Sequence, residues 1–240
     1  MAELAPSDGD VVADLGCGSG FTLAAAAGKA SGTTLVGIEK ETAPLEAAVT
    51  VLAGTKARHH LVQADLSASL PLGPGCIDRL VCHNVLEQIP DPALLLAEAA
   101  RVMRHGARFV WSHPDYDSVV ISGGDVHLTR RIVHLFADRP DPTMDQADAQ
   151  MGRKLAGLVG QSPLLPRAVT SHVLLSTTLD GPALFRVETT VAALRQGCEN
   201  GELDLSVQDL DSWMASLEKA ADEGRFLYSH ITYIVVADKV

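Results

Sequence analysis

Aromatic side chains are scarce in this chain: two tryptophans, three tyrosines and five phenylalanines make up 4% of 240 residues. Modules that read single-stranded nucleic acid stack bases on such rings, so the shortage argues against that class. Positive charge is short as well, with 19 Lys and Arg against 30 Asp and Glu, a net charge of −11 and no basic cluster. Nucleic acids and anionic membrane surfaces both need a positive field, so neither is expected as a partner, whereas a cationic ligand is mildly favoured. The four cysteines, Cys17, Cys76, Cys82 and Cys198, form no CxxC pair and no repeated spacing, which reads as reduced thiols in a cytoplasmic protein. No basic segment followed by an apolar one opens the chain, and no apolar run approaches the roughly 20 residues of a bilayer span. Nor is there an HExxH or HxxxH: His127 and His134 are two helical turns apart, and the neighbours His59 and His60 point to opposite faces of a strand, so no metal site is expected.

What is present is a core-forming composition, 47% hydrophobic, and an early motif. Val11 to Leu15 is a short apolar run broken by Asp14, followed by Gly16-Cys17-Gly18-Ser19-Gly20 and an alanine-rich stretch. That is a strand, a tight turn and a helix start, the ligand-cradling corner of an α/β fold. Glycine supplies positive φ there and lets a ligand approach a backbone that carries no Cβ. The positive end of the helix that follows suits an anionic group.

The remainder alternates. Ser19 to Lys29 reads as helix, Thr34 to Glu39 as a buried strand, Pro44 to Leu52 as helix, and residues 59–64 as a third strand ending at Asp65. Ile77 to Cys82 is a fourth strand with His83-Asn84 at its carboxyl end. Asp91-Pro92 opens a helix to about Arg104, with aspartate at the N-cap and proline at the first helical position, and Gly106 closes it. Ala107 to Ser112 is the fifth strand. This order implies a doubly wound, mostly parallel α/β sheet of Rossmann-like type. The alternation then stops. Residues 113–148 are polar and acidic, with a helix over 125–137 and a loop at Asp138-Arg139-Pro140-Asp141-Pro142, and read as a small cap inserted into a single domain spanning 1–240. Further helices are expected at 147–159, 183–196 and 207–222, the last opened by a capping box from Ser206 to Asp209, with strands over 169–178 and 226–237 completing seven.

Three ligands compete for the glycine turn. A Walker loop needs Gly-Lys-Ser/Thr, which is absent; a dinucleotide GxGxxG needs glycine where Phe21 stands. The third is S-adenosyl-L-methionine. The stretch Asp14-Leu15-Gly16-Cys17-Gly18-Ser19-Gly20 resembles motif I of the class I S-adenosylmethionine-dependent methyltransferases. Glu39, ending the second strand, stands where the family's acid accepts both ribose hydroxyls, a device that NAD enzymes share. Asp65 stands where the family's acid faces the adenine amino group, with Leu66 as the apolar neighbour of the ring. The run from His83 to Pro92, His-Asn-Val-Leu-Glu-Gln-Ile-Pro-Asp-Pro, is similar to the stretch after strand four in the family's small-molecule branch, which includes quinone-type enzymes. The likeness covers residues 10–113, and the closing strands fit the family's antiparallel seventh strand. It implies S-adenosyl-L-methionine as cofactor, held by Asp14, Gly16, Cys17, Gly18, Gly20, Glu39, Lys40, Asp65, Leu66, His83 and Asn84. It also implies transfer of methyl to nitrogen or oxygen of a small-molecule acceptor in secondary metabolism. A binding protein of this fold without transfer, and an NAD-linked oxidoreductase, remain as alternatives. Family members usually carry one or two helices before the first strand, whereas about ten residues precede it here; a shortened start, or covering by residues 113–148 or by a second copy in a homo-oligomer, would account for that.

A methyl group on a sulfonium is already activated, so a base is needed only for a protonated hydroxyl or ammonium. The densest polar cluster is His113-Pro114-Asp115-Tyr116-Asp117. His113 is the candidate base, with Asp115 and Tyr116 beside it as catalytic candidates that could also hold a cationic amine. His113 and Asp115 could equally cap a strand and a loop.

Overall fold

The computed structural model describes residues 1–138 and 148–240. The elements are β1 (Val11–Leu15), α1 (Phe21–Ala27), β2 (Thr34–Glu39), α2 (Thr42–Ala53), β3 (Arg58–Gln63), β4 (Ile77–His83), α3 (Pro92–Val102), β5 (Met103–Ser122), α4 (Val126–Asp138), α5 (Met151–Gly160), β6 (Leu165–Ser176), α6 (Gly181–Glu199), α7 (Val207–Asp222) and β7 (Leu227–Asp238). One seven-stranded sheet runs β3-β2-β1-β4-β5-β7-β6. The pairs β1–β2, β1–β4, β2–β3 and β4–β5 are parallel. Lys239 exchanges backbone bonds with Gly106 and Ala107, while Ile231 N–H reaches Ser118 Oγ. The two strands therefore run in opposite senses, and β7 is antiparallel to β5. This is the expected mostly parallel, doubly wound α/β sheet.

The chain divides into two compact units: Met1–His113 with Arg153–Thr170 and Tyr233–Val240, and Pro114–Gly152 with Ser171–Thr232. The first unit is centred on β1, buried on both faces, and its core includes Leu4, Val12, Leu23, Leu35, Leu52 and Val81. A strand flanked by two parallel neighbours and covered by helices has no wet face, which is why Val11 to Leu15 reads as a run rather than an alternation. The order reverses between β1 and β4: the chain moves outward to β3, then returns to the other side of β1. Ligands of such sheets bind outside the carboxyl ends of strands at that reversal. The second unit packs around Trp213, with Ile132, Val187, Leu194, Leu210 and Leu217 buried against it. The Trp213 indole N–H donates to Thr129 Oγ1 at 3.0 Å. Residues 114–138, which the sequence suggested as part of a small cap, share this unit with 171–232.

One local punctuation mark misleads. Gly106 does not close a helix: α3 ends at Val102, and Gly106 lies inside β5 with φ of 81°. Between the pairs Ile77↔Met103 and Arg79↔Arg108 the register shifts, because β5 spends more residues than β4. That is a bulge, and glycine fits its left-handed residue. The fifth strand, expected over 107–112, continues through Pro114. β4 stops at His83, level with Ser112, so beyond Ser112 that flank of β5 has no ladder for a missing N–H to interrupt. β5 therefore runs to Ser122 instead of Ser112. Elsewhere the expected capping holds: Asp91 Oδ1 accepts from Leu94 N–H at 3.0 Å, and Ser206 with Asp209 forms a reciprocal box. Beyond Asp138, the loop expected at 138–142 lies outside the described residues, as does residue 147 at the start of the expected 147–159 helix.

Candidate active site

Parallel register aligns the candidate residues. Leu15 pairs with Ile38 and with Cys82, Glu39 with Gln63, and His83 with Ser112. Gly16, Glu39, Asp65 and His83 thus stand together at the carboxyl edge of β1, β2, β3 and β4. The turn after β1 is tied down by Gly16 and Cys17, whose N–H groups both reach Ile38 O at 2.8 and 2.9 Å. Gly16 has φ of 74°, and a Cβ there would lie 2.3 Å from Val85 Cγ2. Gly18 is the opposite case: φ is 49°, and a Cβ would meet nothing within 4 Å. It is the open floor of the cradle.

The Glu39 carboxylate closes this turn. Its Oε2 accepts from Gly18 N–H at 2.9 Å, and its Oε1 from Lys40 N–H at 2.8 Å and Glu41 N–H at 3.1 Å. The amide that a phosphate loop would offer to an anion is therefore already held by an acid. Asp14, behind it, is 2% exposed, and its Oδ1 has no hydrogen-bond partner among the described residues. Burial first, and the Glu39 charge second, push its carboxyl up to about 8. Among the described residues no lysine or arginine forms an ion pair with Asp14 or Glu39. Near pH 7 the Asp14 carboxyl is mostly protonated, so the Glu39 carboxylate supplies the negative charge at the turn, which disfavours a diphosphate and suits a ligand that carries positive charge.

The other expected contacts are also placed. Asp65 is half exposed, accepts from Ser67 N–H at 2.8 Å and pairs with Lys40 Nζ at 3.5 Å. The Ser67 amide, and the Lys40 charge to a smaller extent, hold its carboxyl below the usual aspartate value. Leu66 is buried. His83 Nδ1 lies 2.8 Å from Ser112 Oγ, and Asn84 takes a left-handed φ of 56° while its N–H donates to Ser112 O. Cys17 turns its side chain into the core; burial first, with Asp14 and Glu39 adding to it, pushes its thiol up to about 12, so only its main chain faces the turn.

His113 is completely buried, and its Nε2 lies 2.8 Å from Glu87 Oε2. Sequence reasoning gave Glu87 no role. It stands on a single 3-10 turn, Leu86–Gln88, too short to carry a period, and its partner is 26 residues away. Asp115 is fully buried in the second unit. Tyr116, in the same unit, has the Arg186 guanidinium 5.6 Å from its ring centre, with Arg186 Nη1 3.4 Å from its hydroxyl. A cationic amine at Tyr116 would meet that guanidinium. Among the described residues no group of His, Cys, Asp and Glu could hold a metal ion.

Residues 13–111 match the family model described as "Methyltransferase domain". A 37.1 kDa protein of transposon TN4556 from Streptomyces fradiae, described as uncharacterized, is 34% identical over 134 residues, 55% of this chain and 38% of that protein. The ubiquinone biosynthesis O-methyltransferase of Thiobacillus denitrificans is 36% identical over 104 residues, 42% of this chain and 43% of that protein. The chain thus spans about two fifths of the length of these curated relatives. Among solved structures, geranyl diphosphate C-methyltransferase from Streptomyces coelicolor A3(2), in complex with Mg2+, geranyl-S-thiolodiphosphate and S-adenosyl-L-homocysteine, shares the fold. Its TM-score is 0.55 at 16% identity, over 100% of this chain and 73% of that one.

Proposed function

We propose that this chain, whose residues 13–111 match a methyltransferase domain, is a class I S-adenosylmethionine-dependent methyltransferase that moves a methyl group from S-adenosyl-L-methionine to a nitrogen or oxygen of a small-molecule acceptor in secondary metabolism. The observation that carries the reading is the Glu39 carboxylate bound to the Gly18 amide in front of the buried Asp14 carboxyl. A sulfonium cofactor with an ammonium group fits that charge; a dinucleotide diphosphate does not. Asp14, the main chain of Gly16, Cys17, Gly18 and Gly20, and the side chains of Glu39, Lys40, Asp65, Leu66, His83 and Asn84 form its binding set. Glu39 keeps lone pairs for ribose hydroxyls after its three amide bonds, and Asp65 is exposed enough to accept from an adenine amino group.

When bound, the cofactor supplies a methyl group that is already activated. The protein's share is to bind, orient and exclude water. His113, whose Nε2 lies beside Glu87, is the residue to take a proton from an acceptor that arrives as a hydroxyl or ammonium. The name of the Thiobacillus relative, an O-methyltransferase of ubiquinone biosynthesis, favours oxygen in a ring-bearing acceptor.

Calorimetry with S-adenosyl-L-methionine, S-adenosyl-L-homocysteine and NAD tests the first half. The expected result is binding of the two sulfur compounds and not of NAD; NAD binding without homocysteine-product binding overturns it. Transfer of labelled methyl across a panel of phenols and amines tests the second half, and cofactor binding without transfer to any member would leave a binding protein in its place.

A further inference from the structure

β6 is the last strand of the sheet: β7 pairs with one side of it, and among the described residues no strand pairs with the other. Its residues 171–176, Ser-His-Val-Leu-Leu-Ser, lie in the second unit. Leu174 packs against the Trp213 core of that unit. Side chains alternate along a strand, so Val173 and Leu175 face away from that core, and they are 50% and 61% exposed. On β5, Val119 and Ile121 likewise pack inward, while Val120 between them is 57% exposed. Residues 171–176 thus combine an open backbone edge with an aliphatic outer face.

Edge strands are ordinarily blunted by charge, proline, a bulge or short length, because an unpaired row of N–H and C=O groups is a template for another strand. β3, which ends the sheet on its other side, opens with Arg58-His59-His60. Residues 171–176 hold no Lys, Arg, Asp, Glu or Pro. The charge pattern around them says which strand fits. Across residues 149–179 the chain has no Asp or Glu, although it carries 30 of them and a net charge of −11. Two copies repel each other through those carboxylates, and least where there are none. A partner chosen by charge, of either sign, finds nothing to pair with on 171–176. A second copy needs only a patch that complements itself about a two-fold axis. With that axis level with Leu174, antiparallel pairing sets each Val173 opposite the partner's Leu175, so the exposed aliphatic side chains cover one another on the outer face.

We propose that residues 171–176 are a dimer interface, at which β6 pairs antiparallel with β6 of a second copy and the two sheets become one. The interface draws on the second unit alone and stands whether or not the chain transfers methyl groups.

Sedimentation equilibrium of the whole protein, from low to high micromolar concentration, reads the mass. The wild type is expected to reach the mass of two chains; a single-chain mass at every concentration overturns the proposal. Val173→Lys and Leu175→Lys, both at exposed positions, each bring two cations together beside the axis and should weaken the dimer at least roughly tenfold. Val49→Lys, the same change at an exposed position of α2, should leave it intact. A dimer that survives both edge variants, or that Val49→Lys weakens as much, overturns the proposal. Hydrogen exchange on the wild type needs no variant: amide protection over 171–176 should rise with concentration as the dimer forms, and protection independent of concentration overturns the assignment of this edge.

Discussion

Replacing Asp14 with asparagine should flatten the pH dependence of stability. The carboxyl titrates at about 8 in the folded chain against a reference of 3.8, through burial first and the Glu39 charge second. An acid whose folded value is raised binds more protons folded than unfolded between the two values, so stability falls as pH rises through that window. From pH 5 to pH 8 the window covers nearly three units at about 1.4 kcal/mol each, so Asp14 alone should remove roughly 4 kcal/mol. Solvent reaching the carboxyl would lessen that figure, so it is an upper one. His230 acts in the opposite sense: its folded value of about 4 lies below the usual 6.5, and stability is lost as pH falls from there. His230 is present in both proteins and far from Asp14 in the chain, so it cancels in the difference between variant and wild type. The measurement is urea unfolding of both at pH 5 and pH 8. Asp14→Asn should be relatively more stable at pH 8 than at pH 5 by a few kcal/mol; curves parallel to within about 0.5 kcal/mol would refute the account of a buried, unpartnered acid. The ligand side has a counterpart. A cation bound at the turn stabilises ionised Asp14, so affinity for cationic S-adenosyl-L-methionine relative to S-adenosyl-L-homocysteine should rise between pH 6 and pH 9, and Asp14→Asn should abolish the trend.

Asp65→Ala should weaken cofactor binding by roughly three- to tenfold in calorimetry, a modest loss because the carboxylate is half exposed and already bonded to Ser67. An unchanged dissociation constant would remove Asp65 from the site. His113→Ala should lower turnover by about a hundredfold or more while leaving cofactor affinity within about threefold; Glu87→Gln should shift the pH–rate profile in the same assay, which a purely structural pair would not do.

How much of this could be read from residues depended on how local the cause was. The glycine turn and the strand-end acids are local: an apolar run, a break and an acid lie within a few positions of one another, and parallel register then aligns Glu39, Asp65 and His83 without further information. Gly106 is an equally local signal, yet its meaning was set by β4. Gly106 serves a bulge against β4, and Pro114 sits past its end. The Glu87–His113 contact joins a 3-10 turn to a strand, and no periodicity announces it.

The glycine turn itself changes meaning once Glu39 is placed. A strand, three glycines and a helix start describe backbone shape, and that shape alone favours an anion at the helix end. Shape does not say who receives the Gly18 amide. Here the acid at the end of β2 receives it at 2.9 Å, and its second oxygen holds the next two amides of its own chain. Three positive N–H poles are thereby neutralised by one full negative charge, and Asp14 stands buried behind it. The corner that in a phosphate loop is electropositive becomes acidic with no change in the glycine pattern. On the proposed reading, preference for a sulfonium over a diphosphate rests less on the missing third glycine at Phe21 than on the Glu39 carboxylate bonded across the turn, joined by the buried Asp14 carboxyl as pH rises past about 8.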